Sequence, residues 1–200
     1  MESQERLKRA SKNTYETVIK LVKKINPKKI LDLGSGYGGL VEALAKNGFD
    51  VTASDLHPEN FRLKHVNCVK INLNEKVSFP KKYDLITCTE VVEHLENPSN
   101  LFLSAHALLE KNGTLIVTTP NNQNWFSRLY FFLTGKLPAM CNHPDHRFPV
   151  FTWQIGKLTK GMFEIKKIYF NRSVVPVFHF NLPFKNLFFG QNLILVFRKK

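Results

Sequence analysis

Short apolar runs bounded by Gly, Asn or Pro recur through residues 29–120, and stretches with apolar residues three and four apart separate several of them. The runs read as strands at 29–33, at 49–54 ending on Asp55, at 66–71 closed by Asn72-Leu73, at 83–88 and at 114–118 after the turn Lys111-Asn112-Gly113. Helical spacing places one helix from Leu40 to Asn47-Gly48. Another opens with Asn97 as the expected N-cap and Pro98 at its first position, and runs to about Leu109. Ahead of them, residues 5–25 read as an amphipathic helix with Tyr15, Val18, Ile19, Val22 and Ile25 on one face, stopped by Asn26-Pro27. Such a leading helix either packs on the sheet or covers its site as a lid. Strands alternating with helices at this spacing predict an α/β fold with a doubly wound, mostly parallel sheet.

Beyond residue 120 the pattern changes. Residues 124–133 predict an aromatic-rich helix, 141–147 a polar loop and 151–161 another short helix. Residues 163–170 and 192–197 read as a terminal antiparallel strand pair, separated by an apolar stretch, 174–190, that Pro176 and Pro183 interrupt. The organisation expected is one domain over residues 1–200: a leading helix (1–27), a ligand-binding core (28–120) and an aromatic, basic remainder (121–200).

Charge sharpens that division. The net charge is +13, but residues 30–120 carry eight Lys/Arg against eleven acids, whereas residues 121–200 carry twelve against two and also hold thirteen of the 17 Phe. The basic, aromatic end suits an anionic acceptor, an anionic membrane surface touched peripherally, or RNA; the alternative is a solvated basic surface over an aromatic core. No transmembrane run and no signal-peptide core are present. The three cysteines, odd in number and without metal spacing, fit a reducing, cytoplasmic compartment.

Chemistry concentrates after the first strand, in Asp32-Leu33-Gly34-Ser35-Gly36-Tyr37-Gly38-Gly39. Glycines there permit a sharp turn and close approach of a ligand to the backbone, as in nucleotide-like cofactor sites. No Gly-Lys-Ser/Thr follows, which excludes a Walker A loop. The glycine spacing admits NAD(P), but Asp32 precedes the loop and no Lys or Arg occurs from Leu31 to Ala45, which favours a cationic ligand over a pyrophosphate. S-adenosylmethionine is such a ligand, and Asp55 stands where a ribose partner is needed. Asp32, Asp55, Asn72, Thr89 and Pro120 all fall at carboxyl ends of predicted strands, where ligands bind in open α/β sheets.

With these pieces placed, residues 28–120 resemble the class I S-adenosylmethionine-dependent methyltransferases. The likeness rests on residues 30–39, 51–55, 83–95 and 113–120, and is strongest to the small branch holding the ubiquinone-pathway O-methyltransferases and the RNA 3′-end 2′-O-methyltransferases. It implies a seven-stranded Rossmann-like methyltransferase sheet with an antiparallel last strand. Gly34, Gly36 and Gly38 would pass under the methionine part of the cofactor, with Asp32 near its amino group and Asp55 on the ribose hydroxyls. Asn72 and Leu73 would flank the adenine, where the family usually has Asp-Leu, and Thr89 would line the methyl-donor end. In the two named subfamilies the pattern Glu90-x-x-Glu93-His94 binds a divalent cation, for which His143 or His146 could supply a fourth ligand here; the alternative is a turn whose acids favour a helix N-terminus and whose His94 bonds nearby backbone, and no metal ligand is assigned from the sequence. His143 and His146, flanking Pro144-Asp145, are the candidate catalytic bases for a hydroxyl acceptor. The activity implied is O-methylation of a small or lipid-linked molecule, with RNA as the second acceptor. An NAD(P)-dependent oxidoreductase and a non-catalytic cofactor-binding module are the rival classes.

Overall fold

The computed structural model describes residues 10, 11, 13–173 and 184–200. Its strands are β1 (Lys29–Leu33), β2 (Asp50–Asp55), β3 (Cys68–Lys70), β4 (Tyr83–Thr89), β5 (Leu109–Pro120), β6 (Phe163–Phe170) and β7 (Asn192–Lys199). They form one seven-stranded sheet in the order β3-β2-β1-β4-β5-β7-β6. Neighbours among β1 to β5 pair in parallel, and β7 is antiparallel to both β5 and β6, so β6 runs in the same direction as the first five.

Alternation along the strands separates two apolar layers. Ile30, Leu85, Ile116 and Ile194 face α1 (Thr14–Ile25) and α2 (Gly39–Ala45), meeting Tyr15, Val18, Val22, Leu40 and Leu44. Leu31, Ile86, Leu115 and Leu195 face the other way, onto Leu101, Phe102 and Ala105 of α3 (Pro98–Leu108) and Ile155 of α6 (Thr152–Leu158). Both faces of the central strands are therefore covered, and β1 is buried from Ile30 to Leu33. Two further helices, α4 (Trp125–Thr134) and α5 (Pro138–Cys141), lie between β5 and α6 in the chain.

Several boundaries differ from the sequence reading, each for a local reason. The leading helix begins at Thr14, because Asn13 takes a left-handed conformation (φ 67°); residues 1–9 and 12 fall outside the described residues. Its buried face holds Leu21, while Ile19 and Ile25 are only partly covered. β3 shortens to three residues. Asn112 and Gly113 do not interrupt β5, which starts directly after α3; Asn112 absorbs the irregularity with φ 59°. Asn97 precedes Pro98 as expected, but its side chain makes no capping bond; its N–H is held by Asn74 Oδ1 instead. Asn124 does cap α4, accepting from Ser127 N. The helix expected at 151–161 spans Thr152–Leu158, and part of the polar loop, up to Cys141, is helical. Of the stretch 174–190, residues 174–183 lie outside the described residues; Ser173 and Gly190 form an isolated bridge at its ends. No helix among the described residues is long and apolar enough to cross a membrane.

Candidate functional site

The carboxyl ends of β1 to β5 open on one cleft of about 950 Å³. Gly34, Gly36, Asp55, Asn72, Leu73, Thr89, His143 and His146 all line it. So do Ala10, Ser11 and Tyr15, which puts the start of α1 at the cleft wall.

Below the glycine loop the polar groups are closely paired. Gly34 N and Ser35 N both donate to Ser54 O, tying the loop to the end of β2. Gly36 N donates to Asp55 Oδ2 at 2.7 Å, and His57 N donates to Asp55 Oδ1 at 2.9 Å. One carboxylate thus anchors the loop and its own strand end while still lining the cleft. Gly34, Gly36 and Gly38 all have positive φ. A Cβ on Gly34 would collide with the Val91 side chain, and one on Gly38 would press on Leu63 and Phe61, whereas at Gly36 it would meet only open space. Gly36 has room beside its backbone on the cleft wall, whereas Gly38 is a packing position and does not line the cleft.

Asp32 is placed differently from the expectation. It is 2% exposed and does not line the cleft; its Oδ1 accepts from Thr87 Oγ1 at 2.6 Å, and its carbonyl accepts from Ser35 and Ser54 hydroxyls. Burial pushes its carboxyl up to about 6; the Thr87 and Ser35 hydroxyls pull it down, and the Asp55 charge adds to the rise. Asn72 also has work of its own: its Oδ1 accepts from Asn74 N and its Nδ2 donates to Glu75.

The segment after β4 departs from one helical face. Glu90 has φ 54°, and its carboxylate turns back onto the sheet, accepting from Thr118 Oγ1 and from Asn192 Nδ2, both at 2.7 Å. It does not join Glu93 and His94. Those two instead meet His146: one ligand atom from each lies within 4.8 Å of the others. Glu93 is 2% exposed, and neither of its carboxylate oxygens has a hydrogen-bond partner among the described residues. Burial pushes this carboxyl well above the usual carboxylate range and the Glu90 charge adds to the rise, while its own backbone N–H and the nearby Thr119 hydroxyl, neither within hydrogen-bonding geometry of its oxygens, oppose it weakly. His94 Nδ1 is 3.1 Å from Asp145 O, and His146 Nδ1 is 2.6 Å from Ala139 O. A carbonyl only accepts, so both rings carry a proton on Nδ1, which leaves Nε2 as the ligand atom of the neutral imidazole, the arrangement typical of metal-binding histidines. His143 stacks on His146 at 4.6 Å. Burial lowers the His146 pKa, with the His94 and His143 rings acting the same way and the Ala139 carbonyl opposing.

The cluster is held from below: Arg147 N and Phe148 N both donate to Glu93 O, fastening the histidine loop to the turn after β4. Sequence reasoning missed the C-terminal contribution. Arg172, Gln191 and Asn192 line the cleft because β6 also points its carboxyl end there and β7 starts there, with Asn192 paired to Pro120. Their signal was the strand-end rule already applied to β1 to β5.

Comparison with known proteins bears on the family and the fold. The model of the family described as "Methyltransferase domain" matches residues 4–152. The ubiquinone biosynthesis O-methyltransferase of Proteus mirabilis is 30% identical over 111 residues, covering 50% of this chain and 45% of that protein. The mitochondrial ubiquinone biosynthesis O-methyltransferase of Schizosaccharomyces pombe is 35% identical over 104 residues, 46% of this chain and 38% of that protein. The chain therefore spans less than half the length of these curated relatives. Among solved structures, a SAM-dependent methyltransferase from Archaeoglobus fulgidus superposes with a TM-score of 0.64 at 19% identity, covering 94% of this chain and 95% of that one. Magnesium protoporphyrin IX methyltransferase from Synechocystis PCC 6803, with bound SAH, gives 0.65 at 18% identity, covering 94% and 82%. The chain belongs to the methyltransferase-domain family, with the fold of the class I S-adenosylmethionine-dependent methyltransferases.

Proposed function

We propose that this chain transfers the methyl group of S-adenosylmethionine to a hydroxyl of a small or lipid-linked acceptor. The observation that carries the reading is a single cleft with two unlike ends: the glycine loop with Asp55, and the cluster of Glu93, His94 and His146. S-adenosylmethionine, when bound, supplies a methyl on a sulfonium that is already electrophilic. The chain then has to hold donor and acceptor in line and keep water out. Asp55 has acceptor capacity beyond its two backbone bonds for vicinal ribose hydroxyls. Ile71 and Leu73 offer apolar surface for the adenine, and Thr89 lines the donor end with a hydroxyl that has no partner among the described residues.

The acceptor end fits a divalent cation, because a buried carboxylate with no hydrogen-bond partner among the described residues sits beside two imidazoles whose Nδ1 atoms are already held by carbonyls. Glu93, His94 and His146 would hold it. Such a cation supplies a Lewis acid that orients and acidifies a hydroxyl. His146 serves there as a ligand, and His143, lining the same cleft, is the imidazole positioned to take the hydroxyl proton.

Calorimetric titration with S-adenosylmethionine and with NADH tests the donor assignment: saturable binding of the first and none of the second is expected. NADH binding in its place would establish the oxidoreductase alternative. Screening phenolic and RNA acceptors with and without Mg²⁺ or Mn²⁺ then tests the other end. Cation-stimulated methylation of vicinal phenols is expected; methylation of RNA alone would overturn the acceptor class.

A further inference from the structure

Helix α4 meets the cleft at its start and solvent beyond it. Asn124, Trp125, Phe126 and Ser127 line the cleft, and Ser127 is the helix's one buried residue. Farther along, Leu129, Phe132 and Leu133 are exposed, Phe132 at 84% and Leu133 at 70%. Residues three and four apart share a helical face, so these three form one apolar strip. Arg128 stands at its start, and Lys136 follows just past its end. Phe188 extends the strip: its carbonyl accepts from Trp125 N at 2.8 Å, and the Arg128 guanidinium lies 6.0 Å from its ring. Phe184 and Phe188 are likewise exposed. No Asp or Glu occurs from residue 111 to 144, so every charged residue within this stretch is basic.

An apolar strip that no described residue covers marks a contact surface. We propose that it docks the protein on an anionic lipid bilayer. Leu129, Phe132 and Leu133 enter the boundary between headgroups and acyl chains, and Arg128 and Lys136 meet the anionic headgroups. Charge selects this occupant over a second copy of the chain, because two such strips face to face would bring like charges together. The role rests on the proposed lipid-linked acceptor: docking puts the cleft entrance, through Trp125 and Phe126, beside the bilayer that holds it.

The test is flotation of the full chain with vesicles of phosphatidylcholine plus phosphatidylglycerol, and with phosphatidylcholine alone. Wild type should prefer the anionic vesicles by at least about tenfold, less so at high salt. Phe132→Glu with Leu133→Glu should weaken binding on the order of 100-fold, since two apolar side chains no longer leave water. Arg128→Glu with Lys136→Glu should remove the preference for anionic lipid. Vesicle affinity unchanged by the first pair, absence of wild-type binding, or a wild-type dimer that the first pair converts to monomer would each overturn the proposal. Titration with S-adenosylmethionine on the same samples separates the two readings. Cofactor binding without vesicle binding removes the docking alone, and vesicle binding without cofactor binding removes the methyltransferase reading alone.

Discussion

The two ends of the cleft are built on different principles. At the end proposed for the donor the glycine loop is tied down by paired groups, with Gly34 and Ser35 on Ser54, Gly36 on Asp55 and Thr87 on Asp32, and among the described residues Thr89 alone of the residues assigned to that end has an unpartnered buried hydroxyl. At the end proposed for the acceptor, Glu93 is buried with two oxygens that have no partner among the described residues, and three imidazoles crowd within 4.7 Å of their neighbours. A saturated network is rigid and presents a fixed backbone shape to its ligand. An unsaturated one is costly in isolation and becomes favourable when a ligand completes it. On the proposed assignment, donor recognition would rest mainly on backbone shape and acceptor recognition on side chains.

The largest effects should come from the acceptor end and leave the donor end untouched. Glu93→Gln and His146→Ala should each lower turnover by roughly 10²–10⁴-fold, the range for removing a group that acts on the transferred proton or its activator. Affinity for S-adenosylmethionine should stay within about twofold, because neither residue belongs to the donor network. Steady-state rates paired with calorimetry check this, and equal loss of both properties would erase the contrast between the ends. The converse prediction concerns the loop. Gly34→Ala combines a left-handed φ of 77° with a collision against Val91, and should cost about 2–5 kcal/mol of stability. Gly36→Ala meets open space and should cost only about 1–2 kcal/mol from its φ of 54°. Urea unfolding of the two variants side by side makes the distinction.

How far the sequence could be read follows the same division. The meeting of the glycine loop with Asp55 was legible because the two are close in the chain: Gly36 and Asp55 are 19 residues apart, linked by one strand-helix-strand unit whose geometry is stereotyped. Asp32 was located correctly on β1, but its depth was not, because Thr87, 55 residues away, draws its side chain under the loop. The acceptor end depends on contacts that no local pattern encodes. Glu90 shared helical spacing with Glu93 and His94, yet Asn192, 102 residues away on an antiparallel strand, holds it against the sheet. His94 meets the histidine loop across 51 residues. The α4 boundaries were close to the expected ones, whereas its exposed face was invisible, since an aromatic helix reads the same whether covered or bare.

Asp32 supplies a pH test of the donor end. Its pKa is raised from 3.8 to about 6, so between those values the folded protein holds a proton that the unfolded chain has lost. Stability contributed by this group is therefore lost as pH rises through that window, by about 3 kcal/mol in all. Asp32→Asn should flatten this slope in urea titrations from pH 4 to 7. Thr87→Val, which removes a hydrogen bond that favours the charged carboxylate, should make it steeper. An unchanged slope in both would mean that the carboxylate is better solvated than its burial implies.

The smallest effect separates two residues that the strand-end rule treats alike. Asp55→Ala should weaken S-adenosylmethionine binding by about 1–3 kcal/mol, through lost charged hydrogen bonds to the ribose and a freed Gly36 N–H. Asn72→Ala should weaken it by less than about 1 kcal/mol, because its oxygen already serves Asn74 N within its own turn. Thermal melting must accompany the titrations, since Asp55 also braces the loop through His57 N. A fall in affinity far larger than the fall in stability assigns Asp55 to the ligand. Parallel falls would make it a brace for the glycine loop, and the ribose would then depend on the backbone shape that Asp55 maintains.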